Sequence, residues 1–183
     1  MVDLTALWLP VLVSAFLVFL AGNVLWMALP FWHRKDYGKL PDEGRVLDAL
    51  ASAKGGQYIA PCLDWNNMAP EEKKAAMTRP MAFLFLRNPA KFSFGTALAL
   101  YFLYILVIAI FVGYLTGISR GPGSAGLQVF RVAGTAGIMA FAFGDVGNSI
   151  WYGKPWRVTV KQAIDGVIYG LAMGGVFAWL WPH

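Results

Sequence analysis

The sequence predicts an all-α integral membrane protein, a four-transmembrane-helix bundle with a cytoplasmic cap between helices 1 and 2. Of the 183 residues, 58% are apolar and 14% charged, against roughly 25% charged in an average soluble domain. The apolar residues fall in four long blocks, with the charged clusters between them. Tryptophans sit near the block ends, where indole rings favour the headgroup level.

The blocks are 4–29, 94–118, 127–150 and 162–181. Each reaches about 20 residues, the length that a helix rising about 1.5 Å per residue needs to cross about 30 Å of hydrocarbon. Backbone polar groups in lipid must be satisfied within the segment, and these runs are too long for tilted barrel strands, so helices are expected. The first block is expected to be a retained anchor and not a cleavable signal. Asp3 precedes it, His33, Arg34 and Lys35 follow it, and its apolar run is far longer than a signal core.

Cations set the expected orientation. Residues 30–93 hold ten of the fifteen Lys and Arg, and the short connection from Trp151 to Lys161 adds Lys154, Arg157 and Lys161. Both connections are therefore expected on the cytoplasmic side of a bacterial inner membrane, with both termini on the other. Trp26, Trp32, Trp151 and Trp156 would mark the inner face, and Trp8, Trp179 and Trp181 the outer one. The net charge of +5 reads as this cytoplasmic bias toward anionic lipid and not as a nucleic-acid surface.

Small residues predict how the helices pack. Gly166, Gly170 and Gly174 recur every four residues in the fourth block, Ala136, Ala140 and Gly144 in the third, and Gly113 and Gly117 in the second. Such grooves let backbones approach where lipid offers no hydrophobic driving force, so spans three and four are expected to pack tightly. Whether the groove holds a helix of the same chain or of another copy stays open.

Residues 30–93 are too long for a simple connection. Leu40–Ala53 reads as an amphipathic helix with Pro41, Asp42 and Glu43 in its first turn, ended by Gly55-Gly56. Gln57–Leu63 reads as extended and Pro70–Met77 as a second short helix. Met81–Leu86 reads as a strand or a membrane-surface segment. A small cap lying on the bundle is the expectation.

Polar residues within the blocks are the candidate functional groups. Asn23, Asp145, Asn148 and Asp165 should lie at similar depth near the inner ends of three helices, with His33, Lys154 and Arg157 forming a hydrated vestibule. Ionisable groups inside a membrane are costly and face protein or water, so they suggest a solute or proton path. Structural roles compete. Asp165 suits the positive end of its helix, with Lys161 four residues earlier as partner. Asp145 can pair with Lys154 or Arg157, and the asparagines can join helices. Arg131 stands fourteen residues from Asp145, about 21 Å along a helix, and is expected to reach the outer surface instead.

His33, Asp36, Asp42, Glu43, Cys62 and Asp64 include the side-chain types of a metal site, but their spacing matches no ligand motif. No metal and no cofactor is expected, His33 being the weak candidate ligand. Cys62 is the only cysteine, so no disulfide can form within the chain. No nucleophile elbow, phosphate loop or His-Glu-x-x-His is present.

The runs GDVGNSIWYGKPW (144–156) and KQAIDGVIYGLAMGGVFAWLWP (161–182), with WLPVLVSAFLVFLAGNVLW at the other end, resemble a family of small bacterial four-helix membrane proteins of unknown function. The insertion from His33 to Lys91 departs from that compact form. The resemblance implies a fold and no activity.

Three functional readings follow. The first is a non-enzymatic membrane component, a homo-oligomer or an accessory subunit, with lipid and other membrane subunits as partners and no nucleic acid. The second is a channel or transporter for a small solute or protons through the polar vestibule. The third is a membrane enzyme or redox subunit using the cap.

Overall fold

A computed structural model describes residues 1–64 and 66–183. The chain is mostly helical and divides into two compact units, residues 1–38 with 95–183, and residues 39–94. Within the first unit, a single 3-10 turn at Leu4–Leu7 leads into α1 (Trp8–Asn23). Asp3 accepts from the Thr5 amide at 2.8 Å and caps that turn. α1 runs on into a wider π turn, Val24–Ala28. Pro30 then starts a one-turn helix, α2 (Pro30–His33). The remaining helices are α5 (Phe94–Ser119), α6 (Gly126–Ala142), α7 (Val146–Tyr152) and α8 (Trp156–Trp179).

Three stretches are long and apolar enough to cross a membrane: Leu4–Ala28, Phe94–Ser119 and Gly126–Tyr152. Their flanks suit lipid. Leu12, Phe16 and Leu20 on α1 and Leu100, Leu103, Val107 and Phe111 on α5 all face outward, an apolar surface that water would penalise. α8, 24 residues long, is long enough but falls outside this set, because Arg157, Lys161, Gln162 and Asp165 dilute its first turns. The third stretch is not one continuous helix. It is interrupted at 143–145, between α6 and α7.

The core follows from spacing. Leu7, Val11, Ala15 and Val18 form one stripe at helical intervals, and Tyr169, Met173 and Phe177 another, meeting Ile105, Ala109 and Val112 of α5 and Val129 and Ala133 of α6. Trp181, expected at an outer belt, is instead 4% exposed and joins this core. Its indole donates to the Gly121 carbonyl at 2.9 Å, because the chain beyond α8 folds back over the turn before α6.

α6 lies closest to α8. A Cβ built on Gly166 would stand 2.5 Å from the Ala142 Cα, and one on Gly174 would stand 2.7 Å from the Gly134 Cα. Both neighbours are backbone, so only glycine allows this approach. The face of α6 that meets these glycines corrects the sequence expectation. It is Gly134, Gly137 and Ala142, not Ala136, Ala140 and Gly144. Ala140 is exposed, Ala136 is only half-buried, and Gly144 has open space around it. The residues in contact stand three and five apart rather than four, and they lie on a different face of the helix from Ala136 and Ala140, while Gly144 falls beyond its end. Gly113 receives Val11 and Phe177, and Gly117 receives the Val2 backbone, whose amide donates to the Gly117 carbonyl at 2.8 Å.

In the second unit, α3 (Glu43–Leu50) is shorter than the predicted Leu40–Ala53, starting at Asp42, whose carboxylate accepts from the Arg45 amide. β1 (Gly56–Ala60) pairs antiparallel with β2 (Ala82–Leu86), Tyr58 opposite Leu84, so the strand reading of Met81–Leu86 holds. α4 (Pro70–Met77) lies between them in sequence.

Candidate functional site

The site is built where the first apolar helix stops and α8 begins. The π turn widens α1 beyond Asn23, and such turns re-aim side chains relative to a regular helix. Leu29 then leaves helical geometry at φ −110° and ψ 75°. Restarting at Pro30 swings Trp32 and His33 back onto α8. His33 is 5% exposed, and its ring stacks on Trp26 with centroids 3.9 Å apart and planes 13° from parallel.

Asp165, 2% exposed, has both carboxylate oxygens occupied. The Trp32 indole donates to one at 2.7 Å, and His33 Nε2 lies 2.8 Å from the other. The opposite ring nitrogen, Nδ1, is 2.6 Å from the Asp36 carboxylate. The second Asp36 oxygen accepts from Lys161 Nζ at 2.7 Å, and Lys161 also donates to the Trp32 carbonyl. Lys161 and Asp165 lie one turn apart on α8, yet Lys161 does not pair with Asp165 as expected. Asp36 takes it, because α2 brings that carboxylate between His33 and the α8 ammonium.

Hydrogen-bond counting restricts the proton content of this chain. Both nitrogens of His33 face carboxylates, which accept only, so the network is complete when the ring carries two protons or a carboxyl carries one. With the ring doubly protonated, two carboxylates balance two cations, and no uncompensated charge is buried. Burial acts to raise the Asp36 carboxyl, but Lys161 and His33 together outweigh it and hold the group below the ordinary carboxylate range.

A second polar group stands beside the first. Gly153 ends α7 in the left-handed region at φ +71°, where glycine is favoured. The turn it makes presents Lys154 to Asp145. Asn148 also donates to Asp145, and Lys154 donates to Gln162 at 2.5 Å. Burial pushes the Lys154 ammonium below its usual value, with the charge of Asp36 acting in the opposite sense.

Between the two groups lies a cavity of about 490 Å³, within the range of small-molecule sites. Asn23, Asp145, Lys154, Gln162 and Asp165 supply its polar wall, and Trp26, Tyr101, Tyr104, Phe141 and Tyr169 its aromatic one. A Cβ at Gly22 would stand 2.5 Å from the Tyr101 hydroxyl, so any larger residue there would displace that ring.

Among the residues singled out in the sequence, Asn23, Asp145, Asp165 and Lys154 thus line one cavity. Asn23 donates to its own helix at Phe19 O, 2.8 Å, and does not join helices. Asn148 supports Asp145 from outside the lining, and His33 lies behind Trp26. Arg157 is exposed and donates to the Lys35 carbonyl at 2.8 Å. With both ring nitrogens engaged, His33 offers no lone pair to a metal, and no group of three or more metal-ligating side chains occurs among the described residues. Trp26 and Trp32, expected at the inner face, also have specific partners: one stacks on His33 and the other donates to Asp165. The three tyrosines were missed. The available signal was a phenol in the middle of an apolar run, whose hydroxyl needs a partner when buried.

No family model, curated protein or solved structure matches the chain.

Proposed function

We propose that this chain crosses a bacterial inner membrane four times, with α8 as the fourth span, and acts as a non-enzymatic solute-binding component of a channel or transporter. Lys154, Arg157, Lys161 and the cations after α1 favour placing the cavity end on the cytoplasmic side, with both termini opposite. The single observation that carries the functional reading is the cavity itself. Asp165 lines it and is tied through His33 to Asp36 and Lys161, so a solute in the cavity sits one residue away from a chain of proton-bearing groups.

Four spans are few for a complete alternating-access carrier, so transport requires several copies of the chain. The glycine grooves no longer argue for such assembly on their own, because the chain's own α6 fills the groove on α8.

The test is flux in proteoliposomes. Asp165→Asn keeps the shape of the side chain while removing its charge, and Asp145→Asn does the same for the second group. Wild-type proton or solute flux that falls at least tenfold in Asp165→Asn supports the reading. No flux from the wild type, or wild-type flux retained in both variants, sinks it.

A further inference from the structure

Among the described residues, Tyr169 carries the one buried side-chain polar atom of the cavity wall with no hydrogen-bond partner. Its residue is 6% exposed, and its hydroxyl, fully buried, has no hydrogen-bond partner among the described residues. The Tyr101 hydroxyl and the Trp26 indole are its polar neighbours, but neither meets it in hydrogen-bonding geometry. Leaving a buried hydroxyl unpaired costs about 1–3 kcal/mol, so the position is one where an acceptor brought by a ligand gains most. Tyr169 and its two neighbours each carry a polar hydrogen.

The charges nearby specify the rest. Asp145 is matched by Lys154, and the chain of Asp165, His33, Asp36 and Lys161 is neutral whether its shared proton sits on the ring or on a carboxyl, so the wall offers no surplus charge to an ionic ligand. The remaining surface is aromatic. Tyr101 and Tyr104 are near parallel, 24° apart with centroids at 6.5 Å, while Phe141 stands edge-on to Tyr104 and to Tyr169. Ring faces and edges of this kind favour a flat apolar guest.

We propose that the cavity binds a neutral ligand with a carbonyl oxygen on a flat apolar body, the oxygen accepting a hydrogen bond from Tyr169. This deepens the solute-binding reading and rests on it. Quinone-type rings and lipid esters both carry such an oxygen, and the ring walls select the former.

The probe is 2,3-dimethyl-1,4-naphthoquinone, whose substituted ring does not alkylate Cys62, titrated calorimetrically into the full chain in mild detergent. 2,3-Dimethylnaphthalene, which lacks the oxygens, and dioctanoylglycerol, which carries ester carbonyls, are the comparisons. Saturable binding of the quinone, weakened about three- to tenfold by Tyr169→Phe with the hydrocarbon unaffected, is the expected result. Should that variant misfold, the infrared carbonyl band of quinone bound to the wild type answers independently, with a downward shift expected relative to quinone in empty micelles. Equal binding of quinone and hydrocarbon, with no response to Tyr169→Phe and no band shift, overturns the inference while leaving a solute-binding cavity intact. Binding of dioctanoylglycerol but not the quinone overturns the flat-ring assignment, and no binding of any probe overturns the whole. Loss of flux in Asp165→Asn is independent of all these outcomes and tests the broader reading.

Discussion

Adjacent glycines on α8 allow the packing of α6 against it to be measured with an internal control. Gly174 and Gly175 sit in the same turn of the same helix, so replacing either by alanine brings the same gain in helix propensity, about 1 kcal/mol in water. Their surroundings differ. A Cβ at Gly174 would lie 2.7 Å from the Gly134 Cα and 2.8 Å from its nitrogen, whereas one at Gly175 meets nothing within 4 Å. Because the obstructing atoms are backbone, they cannot rotate aside, and α6 must move away from α8. Overpacking of this kind costs about 1–3 kcal/mol. Gly174→Ala should therefore fall below Gly175→Ala by about that amount, with Gly175→Ala at or above the wild type. The assay is unfolding in mixed micelles of rising SDS content, followed by the helical circular dichroism signal. Coincident curves for the two variants would refute the packing argument, since propensity alone predicts no difference between them.

Two further outcomes test the ionisable network and the topology. Asp36→Asn removes the charge between His33 and Lys161 and turns one of its two accepting oxygens into a donor, and should cost on the order of 1–3 kcal/mol near neutral pH. Its carboxyl titrates below its ordinary value of 3.8 in the folded chain, so the stabilisation is present above that pH and is lost as pH falls through the lower, folded-state value. The gap between wild type and variant should therefore close only under acid below 3.8, and a gap that closes near neutrality would show that Asp36 is not the paired anion. For topology, the exposed Cys62 and, in a Cys62→Ser background, Arg157→Cys should react with an impermeant maleimide from the same side of inverted vesicles, while Ser124→Cys reacts from the other. Labelling of Cys62 and Arg157→Cys from opposite sides would remove the cytoplasmic placement of the cavity.

The parts of the site that could be read from sequence were those whose depth follows from position along a helix. Asn23, Asp145 and Asp165 were expected at one level because each lies a countable number of residues from the end of an apolar run, and the same cavity receives all three. Their partners could not be read in this way. Lys161 stands one turn from Asp165, yet bonds to Asp36, because the break at Leu29 and the turn of α2 interpose a carboxylate that no periodicity describes. The same break turns Trp32 from a belt residue into a donor to Asp165. In α6 the abundance of small residues was legible, but neither their spacing nor the face that selects Gly134 and Gly137 over Ala136 and Ala140 could be read, since both depend on which helix arrives from outside.

Crossing hydrocarbon depends on the length and composition of contiguous residues, so linear order alone marked four apolar blocks, three of which coincide with stretches long and apolar enough to cross a membrane, together with the clustering of cations between them. Pairing in the buried network depends on helix rotation, on a π turn and on two chain breaks, which bring His33 to Asp165 across 132 residues. Only the folded chain decides such contacts, because hydrogen bonds act over a few ångströms while sequence specifies separation along a backbone that has not yet chosen its turns.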